Sequence, residues 1–349
     1  MNKTPRQLGY RFPAEWEPQA ATWFSWPHNK ETWPGKFEPI PGVFTNIVKT
    51  LAPYQHVNIN VVDDAMADDV RSRLSNAKVD SSQFTLFKIP TNDTWSRDHG
   101  PAFVVNPNAP EPLAIIDWGF NAWGGKYLPY DLDDNVPSRI AELRKLPAFH
   151  PGIIMEGGSI DVNGEGCLLT SRSCLLNKNR NPALNQKEIE KYLGEYYNIE
   201  KVLWVDEGIA GDDTDGHIDD SARFVSPNTI AAIVEKNPAD KNYDILRKNL
   251  LELRAMTDTK GDRFRIVELP MPAPQFFNEQ RLPASYANFL IANNIVLVPT
   301  FRDSSDATAI EILQREFQDR TVVGIDCVDL VLGLGTLHCI SQQEPQVTN

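Results

Sequence analysis

Apolar and polar positions alternate along this chain with two different periods, and the switches between them predict its elements. Helical spacing covers positions 43–54, 64–77, 187–197, 243–256 and 307–317. Between these lie short runs rich in β-branched and aromatic residues, at 56–62, 84–89, 102–106, 113–120, 201–205, 222–226, 229–235, 264–269, 286–291, 295–301 and 321–325. Positions 152–170 read as strand, turn and strand, with Asn163-Gly164 as the hairpin signal, and Asn293-Asn294 separates another pair. Strand pairs and helices recur four or five times at loosely similar spacing. The hairpins argue against a wholly parallel sheet, so the class is α/β with mixed strand directions. Residue identity between the units is too low to define a repeat. Positions 9–34 lack helical period, and their tryptophans and prolines suit strand and loop wrapped over a core.

Composition narrows the functional classes. The chain has 349 residues, 41% hydrophobic and 23% charged, which is ordinary for a soluble globular protein. No compositional break marks a linker, so 1–349 reads as a single domain. A net charge of −13 disfavours nucleic acid as a partner and suits a small cationic ligand. The first residues, Met1 to Arg6, carry no apolar leader core, and no later run is long enough to span a bilayer. A cytoplasmic protein with no membrane partner is expected, and homo-oligomerisation is left open. The four cysteines, Cys167, Cys174, Cys327 and Cys339, form no C-x-x-C pair, so no zinc framework is visible.

Candidate chemistry gathers near position 339. An apolar segment runs into Gly333-Leu334-Gly335, then delivers Cys339 beside His338, Ser341, Gln342, Gln343 and Glu344. Those neighbours are too polar for an ordinary core strand, which puts a nucleophilic thiol on an equal footing with a small buried apolar residue. Three further polar clusters sit at junctions between strands and loops. The first is Asn92-Asp93-Thr94-Trp95-Ser96-Arg97-Asp98-His99-Gly100, and the second is Met155-Glu156-Gly157-Gly158-Ser159. The third, Gly211-Asp212-Asp213-Thr214-Asp215-Gly216-His217-Ile218-Asp219-Asp220, puts His217 and Asp219 on one side of an extended strand. It lacks the full EF-hand pattern, and a transition-metal site from His217, His338 and carboxylates is a competing reading. A Cys–His pair alone suits a thiol protease. Surplus acids at every cluster suit a planar cation, a guanidinium held by paired hydrogen bonds.

Several motifs carry a resemblance that spans nearly the whole chain. They are Pro13-Ala14-Glu15-Trp16-Glu17-Pro18, Trp95-Ser96-Arg97-Asp98-His99-Gly100-Pro101, Trp118-Gly119-Phe120-Asn121-Ala122-Trp123-Gly124-Gly125, Glu156-Gly157-Gly158-Ser159, Gly216-His217-Ile218-Asp219 and His338-Cys339-Ile340-Ser341-Gln342-Gln343. In these the chain resembles the agmatine deiminases and bacterial-type peptidylarginine deiminases, one family of guanidine-modifying enzymes. The resemblance implies a closed five-bladed α/β propeller of pseudo-fivefold ββαβ units with the site on its axis. It implies Cys339 as nucleophile, His217 as general acid/base, Asp98 and Asp219 as guanidinium grips, and Glu156 as a supporting acid. It implies no metal and no organic cofactor. Two departures, Asp212-Asp213-Thr214-Asp215 and Leu334-Gly335-Thr336-Leu337, lie beside the site and bear on substrate choice. For agmatine, Trp95 and the loop from Trp118 to Gly125 are expected to wall the methylene stem. Asp212, Asp213 and Asp215 are expected to meet the distal ammonium, with Asp213 preferred.

Overall fold

Each pair of alternating runs folds back on itself as a hairpin, and a helix then returns the chain to the same sheet. A computed structural model describes residues 3–347. In it, Ala222–Ser226 runs antiparallel to Thr229–Val234, which lies parallel to Arg265–Pro270. The same order joins Ala102–Val105, Leu113–Ile116 and Ala148–Phe149. It recurs in Ile160–Val162, Cys167–Ser171 and Lys201–Val205, and in Leu290–Ala292, Ile295–Thr300 and Thr321–Asp326. A parallel return requires a crossover, supplied by helices Val136–Arg144, Gln186–Tyr197, Tyr243–Ala255 and Asp306–Glu316. The remaining large sheet draws on distant parts of the sequence. Ser341–Pro345 pairs antiparallel with Gln19–Ser25, followed in parallel by His56–Val61 and Phe84–Lys88. Topology thus repeats where residue identity does not.

Helix ends follow local chemistry. Gln186–Tyr197 starts with a capping box between Asn185 and Glu188 and stops at Asn198, which takes a left-handed φ of 61°. Asp63 caps Asp64–Asn76 by accepting from the Met66 N–H. Helix Val136–Arg144 has no counterpart among the sequence expectations, because only Val136, Pro137, Ile140 and Ala141 mark its buried face. The run expected as strand over 286–291 pairs only from Leu290, since the residues before it form an interior turn.

The polar segment after Cys339 departs most from expectation. Every residue of Ser341–Pro345 is buried in a strand. Most of its polar groups are matched: Trp23 and Arg144 donate to Glu344, Arg97 donates to Gln343 at 2.7 Å, and Gln342 donates to the Pro101 carbonyl at 2.7 Å, while Gln342 Oε1 lacks a partner among the described residues. A buried polar strand is tolerable when each group finds a partner. No helix among the described residues is long and apolar enough to cross a membrane.

A second matched cluster ties the loop 92–95 to the helical turn Asp131–Asp134. Asp133 Oδ1 accepts from the Asn92 and Asp93 N–H groups at 2.7 and 3.2 Å, while Asn92 Oδ1 accepts from Leu132 and Asp133. Burial raises the Asp133 carboxyl to about 7 and that of Asp93 to about 6. The unfolded Asp133 ionises near pH 4, so between about 4 and about 7 the folded chain binds more protons and loses stability as pH rises. Asp133→Asn keeps the accepting oxygen but not the titration. Its melting temperature should match wild type near pH 4 and exceed it increasingly up to about pH 7, then hold constant. A difference independent of pH in thermal melts rules this out.

Candidate active site

The residues immediately before the first strand of each large sheet face one another. Asp98 sits in the turn Ser96–His99 ahead of Ala102–Val105. Glu156 precedes the turn Gly157–Ser159 and the strand Ile160–Val162. His217 caps the turn Ile218–Asp220 ahead of Ala222–Ser226, and Cys339 lies just before Ser341–Pro345. The equivalent place ahead of Leu290–Ala292 is held by Asn288.

His217 and Asp219 meet, although not as alternating residues of a strand. The backbone turns as a 3-10 helix at Ile218, so a local turn replaces the extended segment expected there. Their common neighbour is Gly158. A side chain there would place its Cβ 2.5 Å from His217 Nδ1, 2.8 Å from Asp98 Oδ1 and 3.0 Å from Asp219 Oδ2. Glycine is required here for close approach rather than for its dihedral freedom. The Gly158 N–H also donates to Asp98 Oδ1 at 3.0 Å, and Trp123 Nε1 donates to Asp98 Oδ2 at 3.0 Å.

Charge is crowded at this point. His217 Nδ1 faces Asp98 Oδ1 at 3.6 Å, and Nε2 faces Glu156 Oε2 at 3.9 Å. Cys339 Sγ lies 3.9 Å from Asp219 Oδ2. His338 bridges Asp219 at 2.7 Å and Glu15 at 3.0 Å, and Arg180 Nε donates to Glu156 Oε1 at 2.7 Å. Burial, followed by the charges of Asp219, Asp220 and Asp98, pushes the Cys339 thiol well above its ordinary range. Burial alone would lower the His217 pKa, but Asp98 and Glu156 outweigh it and raise it well above the usual imidazole value. For Asp219 burial is overcome by His338, which holds the carboxyl low, whereas burial raises Asp98. Among the described residues, both His217 nitrogens and Asp219 Oδ1 are buried without a hydrogen-bond partner.

The site opens into a cavity of about 1070 Å³. Asp98 and Cys339 lie on its lining, with Trp95, Trp123 and Leu334 among the apolar residues and Lys126, Tyr127 and Asp213 among the polar ones. Trp95 matches its expected place and packs against Trp33 and Gly335. Trp118 does not. Its indole packs between Tyr196 and Tyr197, at ring distances of 5.4 and 5.3 Å, and lines a separate small cavity with Arg97 and Gln343. The indole at the mouth is Trp123, whose left-handed φ of 54° turns it inward. The acidic run is also divided. Asp213 lines the cavity but is held by Lys126 and Tyr127. Asp215 pairs with Lys126 and Arg180, and the half-buried Asp212 accepts the His217 backbone N–H.

Two groups could present metal ligands. Glu156, Cys174 and His217 form one, and Asp219, Asp220 and Cys339 the other, with ligand atoms within 4.8 Å of one another in each. Arg180 already occupies Glu156, and Asn288 occupies both Asp220 and Cys339. Neither group joins His217 to His338, so the mixed histidine site considered from sequence is not assembled among the described residues. Sequence reasoning gave no role to Arg180 or Asn288, and reached Trp123 only as a member of the loop from Trp118 to Gly125. A polar Asn288 within an apolar run was the one visible signal.

Residues 11–345 match the family model of the Porphyromonas-type peptidyl-arginine deiminases. The chain is 36% identical to an agmatine deiminase of Pseudomonas syringae pv. syringae, over 99% of this chain and 98% of that one. A solved agmatine deiminase of Enterococcus faecalis superposes with a TM-score of 0.93 at 35% identity, covering 100% of this chain and 99% of the other. A C. jejuni agmatine deiminase solved with substrate bound gives a TM-score of 0.88 at 35% identity, covering 97% of each chain. With its α/β fold matching those structures end to end, the chain belongs to the Porphyromonas-type peptidyl-arginine deiminase family.

Proposed function

We propose that this chain is a hydrolase that deiminates agmatine to N-carbamoylputrescine and ammonia through a covalent bond to Cys339. One observation carries the reading: Cys339 and His217 are buried together with Asp98, Glu156 and Asp219, where Asp98 and Cys339 line a cavity walled by indoles. That surplus of carboxylates suits a guanidinium. The relatives named as agmatine deiminases, 35–36% identical over nearly their whole length, support the substrate.

The steps follow from the charges. Asp98 and Asp219 grip the guanidinium and aim its carbon at sulfur, which is catalysis by proximity. The bound cation favours loss of the thiol proton to solvent. A positive charge at about 4 Å with an effective dielectric near 20 contributes around 4 kcal/mol, roughly three pK units. Sulfur then bonds to carbon as the C=N π pair moves to nitrogen. His217 donates its proton to the departing nitrogen, the C–N bond breaks, and ammonia leaves a thiouronium-like intermediate. Neutral His217 takes a proton from water, hydroxide adds to carbon, and the S–C bond breaks with its electron pair going to sulfur while the adduct's hydroxyl proton passes to that sulfur, giving the ureido product and free thiol. Glu156, fixed by Arg180, keeps His217 charged between turnovers.

Four three-stranded sheets of one topology and the four-stranded sheet each send a junction to this point, which supports a closed pseudo-fivefold ring of ββαβ units acting as one catalytic domain over 1–349. Small-angle scattering and limited proteolysis test that arrangement. A second reading, peptidyl-arginine as substrate, is favoured by the width of the cavity and by the engagement of Asp213 with Lys126. Glu31, Asp93 and Asp133 on the cavity wall are the acids then left to attract an ammonium in the first reading.

Cys339→Ala should abolish ammonia release while leaving the fold intact, and Gly158→Ala should lose at least a hundredfold by displacing His217. Asp98→Asn or Asp219→Asn leaves a buried charge unmatched, at about 3–5 kcal/mol, so kcat/KM for agmatine should fall a hundredfold or more. Changes below tenfold for both aspartate variants remove them from the site. Alkylation of Cys339 at pH 7 should accelerate when a small non-reacting cation occupies the pocket; a thiolate already dominant in free enzyme contradicts the activation step. The substrate is decided by kcat/KM for agmatine, free arginine and a blocked arginine peptide. Agmatine is expected to be fastest, and a faster peptide sinks that assignment while leaving deimination standing.

A further inference from the structure

The candidate active site holds a second thiol to which the reaction gives no part. Cys174 lies in the turn Arg172–Leu175, directly after the strand Cys167–Ser171, and Ser171 Oγ caps that turn by accepting the Cys174 N–H at 3.3 Å. The side chain is fully buried, and its sulfur lies 4.0 Å from Glu156 Oε2. From the other side, His217 Nε2 faces the same oxygen at 3.9 Å. That separation is too long for a hydrogen bond, and both ring nitrogens are buried without a partner among the described residues. One ligand atom from each of the three residues lies within 4.8 Å of the other two. Imidazole, thiol and carboxylate together are the donor set of a borderline-soft divalent ion.

We propose that Glu156, Cys174 and His217 form an inhibitory site for a divalent transition-metal ion such as Zn²⁺, bound through Oε2, Sγ and Nε2; the inhibition rests on His217 being the acid/base of the proposed reaction. Bonds to zinc of about 2.3 Å from sulfur and about 2.0–2.2 Å from nitrogen and oxygen set tetrahedral ligands about 3.4–3.6 Å apart. The edges at 3.9 and 4.0 Å therefore contract by about half an ångström or less to close on the ion. The outer contacts are of the kind that orient metal ligands. Asp98 Oδ1 faces His217 Nδ1 at 3.6 Å, and Arg180 Nε donates to Glu156 Oε1 at 2.7 Å, which leaves Oε2 toward the ion. Charge also balances, since one carboxylate and one thiolate neutralise the ion while Asp98 and Arg180 offset each other outside. Burial holds the Cys174 proton tightly, so it departs in exchange for metal and not otherwise. Binding releases the thiol proton and any proton on Nε2 to solvent, with no change of oxidation state. With metal on Nε2, the ring keeps only the Nδ1–H of a neutral imidazole. That group is too weak an acid to protonate the departing nitrogen, and it has no lone pair with which to take a proton from water.

Cobalt reports the site without turnover. Co²⁺ is added to the full chain carrying Cys339→Ala, which removes the other buried group of thiol and carboxylates from the measurement. A thiolate-to-cobalt charge-transfer band should rise in the near ultraviolet to one ion per chain and be bleached by Zn²⁺. Adding Cys174→Ser or Cys174→Ala should abolish the band, and adding His217→Ala should weaken cobalt binding at least tenfold, with thermal melting as the check of fold. No band in Cys339→Ala, or an undiminished band in whichever Cys174 variant retains its fold, overturns the proposal. The second measurement is ammonia release from agmatine by the chain with Cys339 in place. Ten equivalents of Zn²⁺ should suppress it at least tenfold, with slow onset because the ligands are buried, and a chelator should restore it. Mg²⁺ should change the rate less than twofold, because a hard ion gains little from thiolate and imidazole. Cys174→Ser should keep more than half of its own metal-free rate under the same zinc. Equal inhibition of both chains overturns the site, and a cobalt band without zinc inhibition overturns the inhibition together with the acid/base role of His217. The band needs no substrate, so the site and the agmatine reading fail separately.

Discussion

The structure is governed by the cost of holding several carboxylates in one water-poor place. Asp98, Glu156, Asp219 and Asp220 are each buried, and a buried carboxylate must be matched by a cation or a donor. Glu156 has Arg180, Asp219 has His338, and Asp220 has only an amide. The shortfall is expressed as raised proton affinity on Asp98, Asp220 and Cys339. Negative charge beyond what the protein neutralises is thus built into the empty site. The matching cations extend outward as a network: Glu15 joins His338 to Arg223, and Arg223 continues to Asp161. Breaking any member leaves its partner buried and alone, so this interior tolerates few changes one at a time.

Much of this was legible in the order of residues. Elements with strong period, such as Asp64–Asn76 or Thr229–Val234, lie within a residue or two of their expected bounds. The polar clusters that read as chemistry, around Asp98, Glu156, His217 and Cys339, do converge. What failed has a common physical cause: pattern reports the burial of a side chain, not which neighbour it finds. Ser341–Pro345 looked too polar for a core strand because its partners, Trp23, Arg97 and Arg144, are remote in sequence. Trp118 and Trp123 are alike in composition and close in sequence. Only a backbone turn with left-handed φ at Ala122 and Trp123 decides which one faces the cavity. Asp212, Asp213 and Asp215 read as one acidic patch, yet Lys126 and Arg180 divide them among separate tasks.

That division has weight for recognition. The rim of the cavity is not a plain negative field, because Lys126 lies between Asp213 and Asp215, and Lys30 also faces inward. A ligand's far end therefore meets both signs of charge within a short distance. Selectivity at the floor is set by charge.

The strand that follows Cys339 carries a consequence for how the chain acquires activity. Trp23 and Glu344 hydrogen-bond across a separation of 321 residues, and Ser341–Pro345 completes its sheet only against Gln19–Ser25. Contacts this far apart in sequence form late, because the intervening chain must be ordered before its ends can meet. Cys339, the proposed nucleophile, is positioned by that last closure. A chain in which the other sheets have formed but this seam is open would have its helices and strands and no working thiol. Regain of turnover after dilution from denaturant should then trail regain of secondary structure, making activity itself a clock for the final act of folding.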